Sequence, residues 1–582
     1  MRHIFAAVTA FGMGVKLSSE IRGGGSVAFG DDVMDRMMKP AASKSKRVSV
    51  DRFAKDEDGH VIVFTTVMLT LMLMLAGVGV DIIQFETVRT KQQQTLDRAT
   101  LAAASLKQSL QAEDVVRDYF AKADMEEHLK LVQYDRTMNA SVVRAEAEYQ
   151  ITPTFMNLYD FANGTKLMAR GASRAEQRIN NIEIQLVLDV SGSMLGTKLT
   201  NLKSSASEFI DTVLDQDTEN RVSIGIVPYN GQVNLPEYLQ QIFTRIDDHG
   251  VANVNCFDLP SNTYGSLTLS RTVGMPVTAH ADTFSTQSST GFVEPTHTNA
   301  RPLVTNQWCP PHSNPRGDGV SSTNYVRAPT NNRTQLKAHI NGLVAVGATS
   351  INAGMKWGMA LLDPSSRSVI SGMVGAGQTP SYFNGRPFDY SDREAMKIIV
   401  LMTDGEHFAE ERVNEGFRAG NAPIWRNPSD GRYSVFQDRA NTTLDYYYPH
   451  SNVWRNEPHG GGSAVRQTWP QIWSNLRLSY VARQFYARPN GNTTTAYNNA
   501  MNMFRSQTPI STMNNQLQQV CGLARARNVI VYGIAFEAPA GGQTQIEHCA
   551  SSPAHFFNAQ GLEIRTAFRS IATNISQLRL TQ

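Results

Sequence analysis

Ile184-Gln-Leu-Val-Leu-Asp-Val-Ser-Gly-Ser-Met194 is the stretch of this 582-residue chain from which the rest is read. Ile184, Leu186, Val187, Leu188 and Val190 form a short, nearly continuous apolar run. That is the pattern of a central parallel strand covered on both faces. The run ends in Asp189, Ser191 and Ser193, alternating around Gly192. A strand-to-loop turn can aim these oxygen-bearing side chains into one small space. An all-oxygen set suits a hard divalent cation, Mg²⁺ before Ca²⁺ or Mn²⁺.

The spacing Asp-x-Ser-x-Ser after an apolar strand resembles the metal-ion-dependent adhesion site (MIDAS) of von Willebrand factor A (vWA) domains. The resemblance implies two further ligands from distant sequence: a Thr in a Gly-rich loop, and an Asp, usually followed by Gly, closing a later buried strand. Gly347-Ala-Thr-Ser-Ile-Asn-Ala-Gly354 puts Thr349 in the first place, with Ala348 where a second Gly is usual. Lys397–Met402 (KIIVLM) is an apolar strand, and Thr403-Asp404-Gly405 closes it. The implied metal site is therefore Asp189, Ser191, Ser193, Thr349 and Asp404. The hydroxyls would supply direct or near-direct oxygens, and the two Asp would hold the cation directly or through water. Mg²⁺ keeps several waters in its octahedron, so one position is open to a carboxylate from a protein partner.

Outward from this strand, Lys198–Leu214 carries Leu199, Leu202, Ala206, Phe209, Ile210 and Val213 at helical spacing, and 221–228 (RVSIGIVP) is another buried strand. Helices over 334–344, 353–362, 515–526 and 561–578 and a strand over 529–536 (VIVYGIAF) follow. Strand alternating with helix favours a parallel sheet with helices on both faces. The expected fold class is α/β: a Rossmann-like, doubly wound, mostly parallel vWA domain over 183–582. Two large insertions interrupt it, about 235–332 and 406–508. The first has no clear core pattern and reads as a surface elaboration pinned by a disulfide; the second is rich in Asn, Tyr, Trp, Arg and Gly.

The net charge is +2, from 54 basic and 52 acidic residues, which gives no support to a nucleic-acid-binding surface. The four cysteines form two local pairs, suggesting disulfides Cys256–Cys309 and Cys521–Cys549, although three connectivities are formally possible. Without a Cys-x-x-Cys pair a zinc site is not expected. Disulfides require an oxidising compartment.

Residues 1–52 show no sustained period and read as a disordered cytoplasmic tail; the apolar start is too short and broken for a signal peptide. Val61–Ile83 has no charge before Asp81, and twenty helical residues span about 30 Å, the thickness of a bilayer core. Lys44, Lys46, Arg47, Arg52 and Lys55 on the N-terminal flank favour a cytoplasmic N-terminus, against Arg89, Lys91 and Arg98 beyond the span. Gln84 to about Val132 lacks Pro and Gly and is rich in helix formers, so one extended helix is expected, with Leu96, Ala99, Ala103, Leu106 and Leu110 on one face. Ser141–Ile151 alternates like a half-buried strand, Asn163-Gly164 marks a turn, and Thr165–Ile182 adds one or two strands. A small α+β layer over 133–182 is expected.

Phe53-Ala-Lys-Asp-Glu-Asp-Gly59, the span, Asp81 and Thr95-Leu-Asp-Arg-Ala-Thr-Leu-Ala-Ala-Ala104 together resemble the N-terminal module of TadG-like Tad/Flp pilus-assembly proteins. Arg98 and Thr100 stand where small residues are common in that family. The module would cover 53–132. The resemblance implies a single-pass protein of a bacterial inner membrane, with the vWA domain in the periplasm and possible association with pili or the cell surface. It would act in pilus assembly, anchoring or adhesion, and its partner would be a pilus or envelope protein offering a carboxylate. The alternative is a minor pilus-tip or pseudopilin-like adhesin subunit. Neither a small-molecule substrate nor an enzymatic role is expected: no Gly-x-Ser-x-Gly elbow, phosphate loop or His-Glu-x-x-His occurs, and a lone loop histidine such as His407 is expected to face solvent.

Overall fold

The computed structural model describes residues 60–105, 108–136, 140–158, 164, 166–178, 181–215, 217, 219–303 and 307–581. The expected tail over 1–52, the Phe53–Gly59 stretch and Asn163 lie outside them; Gly164 takes φ +76°, as a turn there requires. The chain divides into two units, 1–80 and 81–582.

In the first unit the described residues open helix α1 (His60–Ala103), which is long and apolar enough to cross a membrane. Its side chains from Val61 to Leu73 are largely exposed. The hydroxyls of Thr65, Thr66 and Thr70 donate back to the carbonyls of Val61, Ile62 and Thr66. Polar groups satisfied within the helix are what an apolar medium demands.

In the second unit α1 turns one face inward. Asp81, Gln92, Leu96, Ala99 and Ala103 are buried at intervals of three, four or their sums. They meet an antiparallel sheet of β1 (Leu129–Arg136), β2 (Ala140–Ile151) and β3 (Leu167–Arg178), ordered β1-β2-β3. Gln92 Nε2 donates to the Ala147 carbonyl at 2.9 Å. The alternation expected in β2 holds as far as Ala147, with Val143, Ala145 and Ala147 buried and Arg144 exposed, but Tyr149, in phase with the buried set, is exposed.

The extended helix to Val132 is not. Helix α1 stops at Ala103, α2 covers Ala112–Lys122, and β1 begins at Leu129. Phase explains the break. At ~100° per residue, Val115, Val116 and Phe120 fall on the far side of a helix from Leu96, Ala99 and Ala103. A straight helix could bury only one of these sets. Interrupting it buries both in one core with Met125, Val143 and Ala175. Leu110, expected on the stripe, is 59% exposed, and Leu106 lies outside the described residues.

The main sheet contains β4 (Asn181–Asp189), β5 (Val222–Tyr229), β6 (Arg327–Thr330), β7 (Ala395–Thr403), β8 (Ile530–Phe536) and β9 (Phe556–Ala559), ordered β9-β8-β7-β4-β5-β6. All neighbours are parallel except β5 and β6. Every residue of β4 after Asn181 is buried. One face packs α4 (Thr197–Asp215), α5 (Arg333–Asn341) and α9 (Glu563–Thr581). The other packs α6 (Ile351–Leu362), α7 (Ile510–Ala526) and α8 (Ala540–Cys549). Cys521 and Cys549 are bonded, tying α7 to α8, and Cys256 is bonded to Cys309. Both expected pairs are formed.

Asn332 caps α5, its Oδ1 accepting the Gln335 N–H at 3.1 Å. Asn332→Ala is expected to cost about 1 kcal/mol, read as a lower urea midpoint at unchanged slope.

The first insertion is more than surface. Phe257, Leu259, Tyr264, Met275 and Val277 belong to the main core, and β6 supplies an edge of the main sheet. These side chains are buried from irregular backbone, so they carry no period in sequence. The second insertion folds into a five-stranded antiparallel sheet of Asn421–Arg426, Tyr433–Phe436, Tyr446–Tyr448, Val453–Arg455 and Val465–Thr468 with helices Trp469–Asn475 and Thr494–Phe504. Its core of Trp469, Trp473, Phe485 and Phe504 also takes Ala279, Ala281 and Ala300 from the first insertion. The two insertions form one body.

Candidate functional site

Strand β4 lies between β5 and β7 and delivers Asp189 to the carboxyl edge of the sheet. The chain then makes a tight turn through Gly192–Met194. Gly192 N donates to the Gly347 carbonyl (2.9 Å), and Val346 N to the Val190 carbonyl (2.8 Å). These bonds lay the Thr349 loop along the Ser191–Ser193 turn. Behind that loop α6 is buried along its whole length. It presses on the sheet because two of its residues have no side chain. A Cβ at Gly354 would stand 2.5 Å from the Tyr229 ring, and one at Gly358 2.5 Å from Val187. Strand β7 ends at Thr403 and brings Asp404 beside Asp189.

The structure brings the predicted residues together. Asp189 Oδ1 accepts the Ser191 N–H (2.8 Å) and Oδ2 the Thr403 hydroxyl (2.6 Å). The Ser191 and Ser193 hydroxyls are 3.0 Å apart, and Ser193 Oγ donates to Asp404 Oδ1 at 2.7 Å. Thr349 joins across Gly405, where a Cβ would stand 3.7 Å from Thr349 Oγ1 and 3.8 Å from Ser193 Oγ. Asp189, Ser191, Thr349 and Asp404 are buried, while Ser193 is open to solvent.

Two carboxylates at one buried point repel each other. Burial, and then the charge of Asp404, push the Asp189 carboxyl up to about 7, against hydrogen bonds from Ser191 and Thr403. The Tyr229 hydroxyl, whose proton goes to the Met402 carbonyl at 2.9 Å, is pushed well above its ordinary range by burial and by Asp189.

Two residues outside the predicted set adjoin the site. Lys198, in the first turn of α4, sets Nζ 2.8 Å from Asp404 Oδ2 and 3.9 Å from Glu537 Oε2. Its position four residues after Met194 was the available signal. His407 is buried rather than solvent-facing. Its Nε2 accepts the Asn352 N–H at 3.0 Å, so Nδ1 carries the proton and donates to Asn514 Oδ1 at 2.7 Å. Burial pushes this imidazole down to about 4, so it stays neutral. With Phe408 N donating to the Thr349 carbonyl at 2.9 Å, it fastens the Asp404 loop to the start of α6 and to α7.

The donor set fits a hard cation. Among the described residues no three His, Cys, Asp or Glu side chains gather as a metal site, so a cation at this point would need the hydroxyl oxygens as ligands. That excludes the nitrogen and sulfur chemistry favoured by zinc and suits Mg²⁺ or Ca²⁺.

Residues 59–106 match the family described as "Putative Flp pilus-assembly TadE/G-like". No curated protein matches the chain by sequence. Among solved structures, the chain is similar to the vWF domain of the type V pili tip protein Mfa5 from Porphyromonas gingivalis, at 14% identity and TM-score 0.29, covering 69% of this chain and 98% of that one. It is also similar to the pilus adhesin SpaC from Lactobacillus rhamnosus GG (10% identity, TM-score 0.25, 77% and 34% covered). A third likeness is to proximal thread matrix protein 1 of the mussel byssus (9% identity, TM-score 0.24, 69% and 46% covered). The chain thus spans about a third of SpaC and under half of the byssus protein. At such low TM-scores none of these likenesses bears on function.

Proposed function

We propose that this is a membrane-anchored, TadG-like component of a Tad/Flp pilus system that grips a protein partner through a divalent cation in a vWA domain. The observation that carries the reading is the meeting of Asp189, Ser191, Ser193, Thr349 and Asp404 at the carboxyl ends of parallel strands, where open α/β sheets bind ligands. The pilus assignment is supported by the family match over 59–106, and the anchor by the apolar helix within that match. Two disulfides support a vWA domain outside the cytoplasm. The five residues would hold Mg²⁺ and leave one coordination position for a carboxylate of a pilus or envelope protein. The role is binding, not catalysis.

Thermal unfolding with and without Mg²⁺, reversed by EDTA, tests the metal; a melting temperature indifferent to both sinks that half of the proposal. Fractionation tests the placement. Recovery in the inner membrane supports an assembly or anchoring role, and recovery in sheared pili turns the reading to a tip adhesin subunit.

Lys198 Nζ occupies Asp404 Oδ2, so a cation held by that carboxylate would compete with it. Lys198→Met is expected to tighten Mg²⁺ binding roughly tenfold, since a hydrogen bond to a charged group contributes ~1.5 kcal/mol. A Mg²⁺ titration of the two proteins checks this, and equal affinities would mean the lysine stands aside.

A further inference from the structure

Asp81 directly follows the apolar run Val61–Val80 and opens the inward face of α1. The residue is 2% exposed. Oδ1 accepts the Thr154 N–H at 3.0 Å and Oδ2 the Met156 N–H at 2.7 Å. Both donors lie in α3 (Thr154–Leu158), a single turn in the connection from β2 to β3. The first N–H groups of any helix lack partners within it, and a buried carboxylate is costly unless it is hydrogen-bonded. Each supplies what the other lacks, so α3 is tied to α1 at the residue where the apolar run ends.

What α3 carries there is apolar and belongs to none of the cores formed by the described residues. Leu158 is 73% exposed, and Phe155 and Met156 are half-buried. On α1 the next two residues, Ile82 and Ile83, are 52% and 67% exposed. In water these would be poor choices. However, Asp81, to which α3 is bonded, is the residue that directly follows the apolar run Val61–Val80.

We propose that α3 is a second membrane contact: a strap, fastened to α1 by Asp81, whose Leu158, Phe155 and Met156 rest in the interfacial layer of the bilayer that α1 crosses. The occupant is lipid because the chain runs from Asp81 straight into the exposed apolar run, with no intervening polar segment. A short element with apolar side chains and satisfied backbone ends suits that layer. Asp81 sits where a free carboxylate would meet the bilayer edge, and its bonds to α3 spend that charge on fixing the depth of α1.

All four cysteines are paired, so a single added cysteine can be labelled cleanly. A spin label at Leu158→Cys is read in the full-length protein in nanodiscs of phosphatidylethanolamine and phosphatidylglycerol. The same label at Leu73→Cys reports the membrane helix, and at Leu562→Cys, 74% exposed in the wild type, it reports water. The Leu158 label is expected to collide with oxygen more than with a nickel chelate, at a shallower depth than Leu73, while Leu562 shows the reverse. A Leu158 label that behaves like Leu562 while Leu73 reads lipid overturns the proposal, and so does one shielded from both quenchers, which would mean that protein covers it. In Asp81→Asn, with helix content held by circular dichroism, the Leu158 label is expected to move toward water; an unchanged depth overturns the role of Asp81.

Discussion

Asp189→Asn is expected to abolish the rise in melting temperature that the proposed Mg²⁺ site would give the wild-type protein, while leaving the metal-free protein at least as stable. The carboxyl is pushed up to about 7 by burial and by Asp404. Because its folded-state pKa lies above the unfolded value, ionising it favours unfolding. The penalty is absent below the unfolded value near 4, grows as pH rises, and is complete above about 7. Asparagine removes that penalty. Its carbonyl still accepts the Ser191 N–H, and the Thr403 hydroxyl can turn to accept from the amide. What asparagine lacks is the charge that a divalent cation needs. At Mg²⁺ a hundred times its Kd, the wild type gains about 2.7 kcal/mol and the variant close to none. The wild-type gain shrinks at pH 5.5 relative to pH 8, because the ion must then displace a proton. Melts of both proteins with Mg²⁺ or EDTA at the two pH values decide it. A Mg²⁺ response that survives in the asparagine variant would place the ion elsewhere.

The second large effect belongs to the opposite end of the same strands. Glu183 of β4 and Lys397 of β7 are paired in register and form a buried ion pair. Lys397 Nζ also donates to the Leu362 carbonyl at 2.9 Å, and Phe388 N donates to both Glu183 oxygens at 3.1 and 3.2 Å. Lys397→Met leaves a buried carboxylate without its partner and is expected to cost about 3–5 kcal/mol. The lower end is favoured, because the charge of Arg386 also reaches Glu183. Adding Glu183→Gln removes the stranded charge and keeps an acceptor for Phe388 N, so the double variant recovers most of the loss. Chemical denaturation of the three proteins measures this, and a double variant no better than the single would show that packing, not charge, held the site.

The strands around the site were legible because each is a continuous apolar run closed by a small polar group, from Ile184 to Ser193 and from Ile398 to Gly405. Burial on both faces leaves such runs little freedom of composition. The cysteine pairs were legible from proximity in sequence. The break after Ala103 was readable in principle, since the stripe changes phase at Val115, but the absence of Pro and Gly hid it. The body shared by the insertions was not readable. Trp469 and Phe504 meet Ala281 and Ala300 across distances in sequence that no local pattern spans. His407 was misjudged for a similar reason: its partners, Asn352 and Asn514, come from two distant helices.

The placement of β4 has a mechanical consequence. A partner held at the Asp189 site and an anchor reached through β3 would pull on the two ends of one strand. That strand is central, with parallel neighbours in register along both sides. Tension along it shears those ladders, loading many hydrogen bonds together instead of peeling them one at a time. A load applied between the two ends of β4 would thus fall on both of its ladders at once.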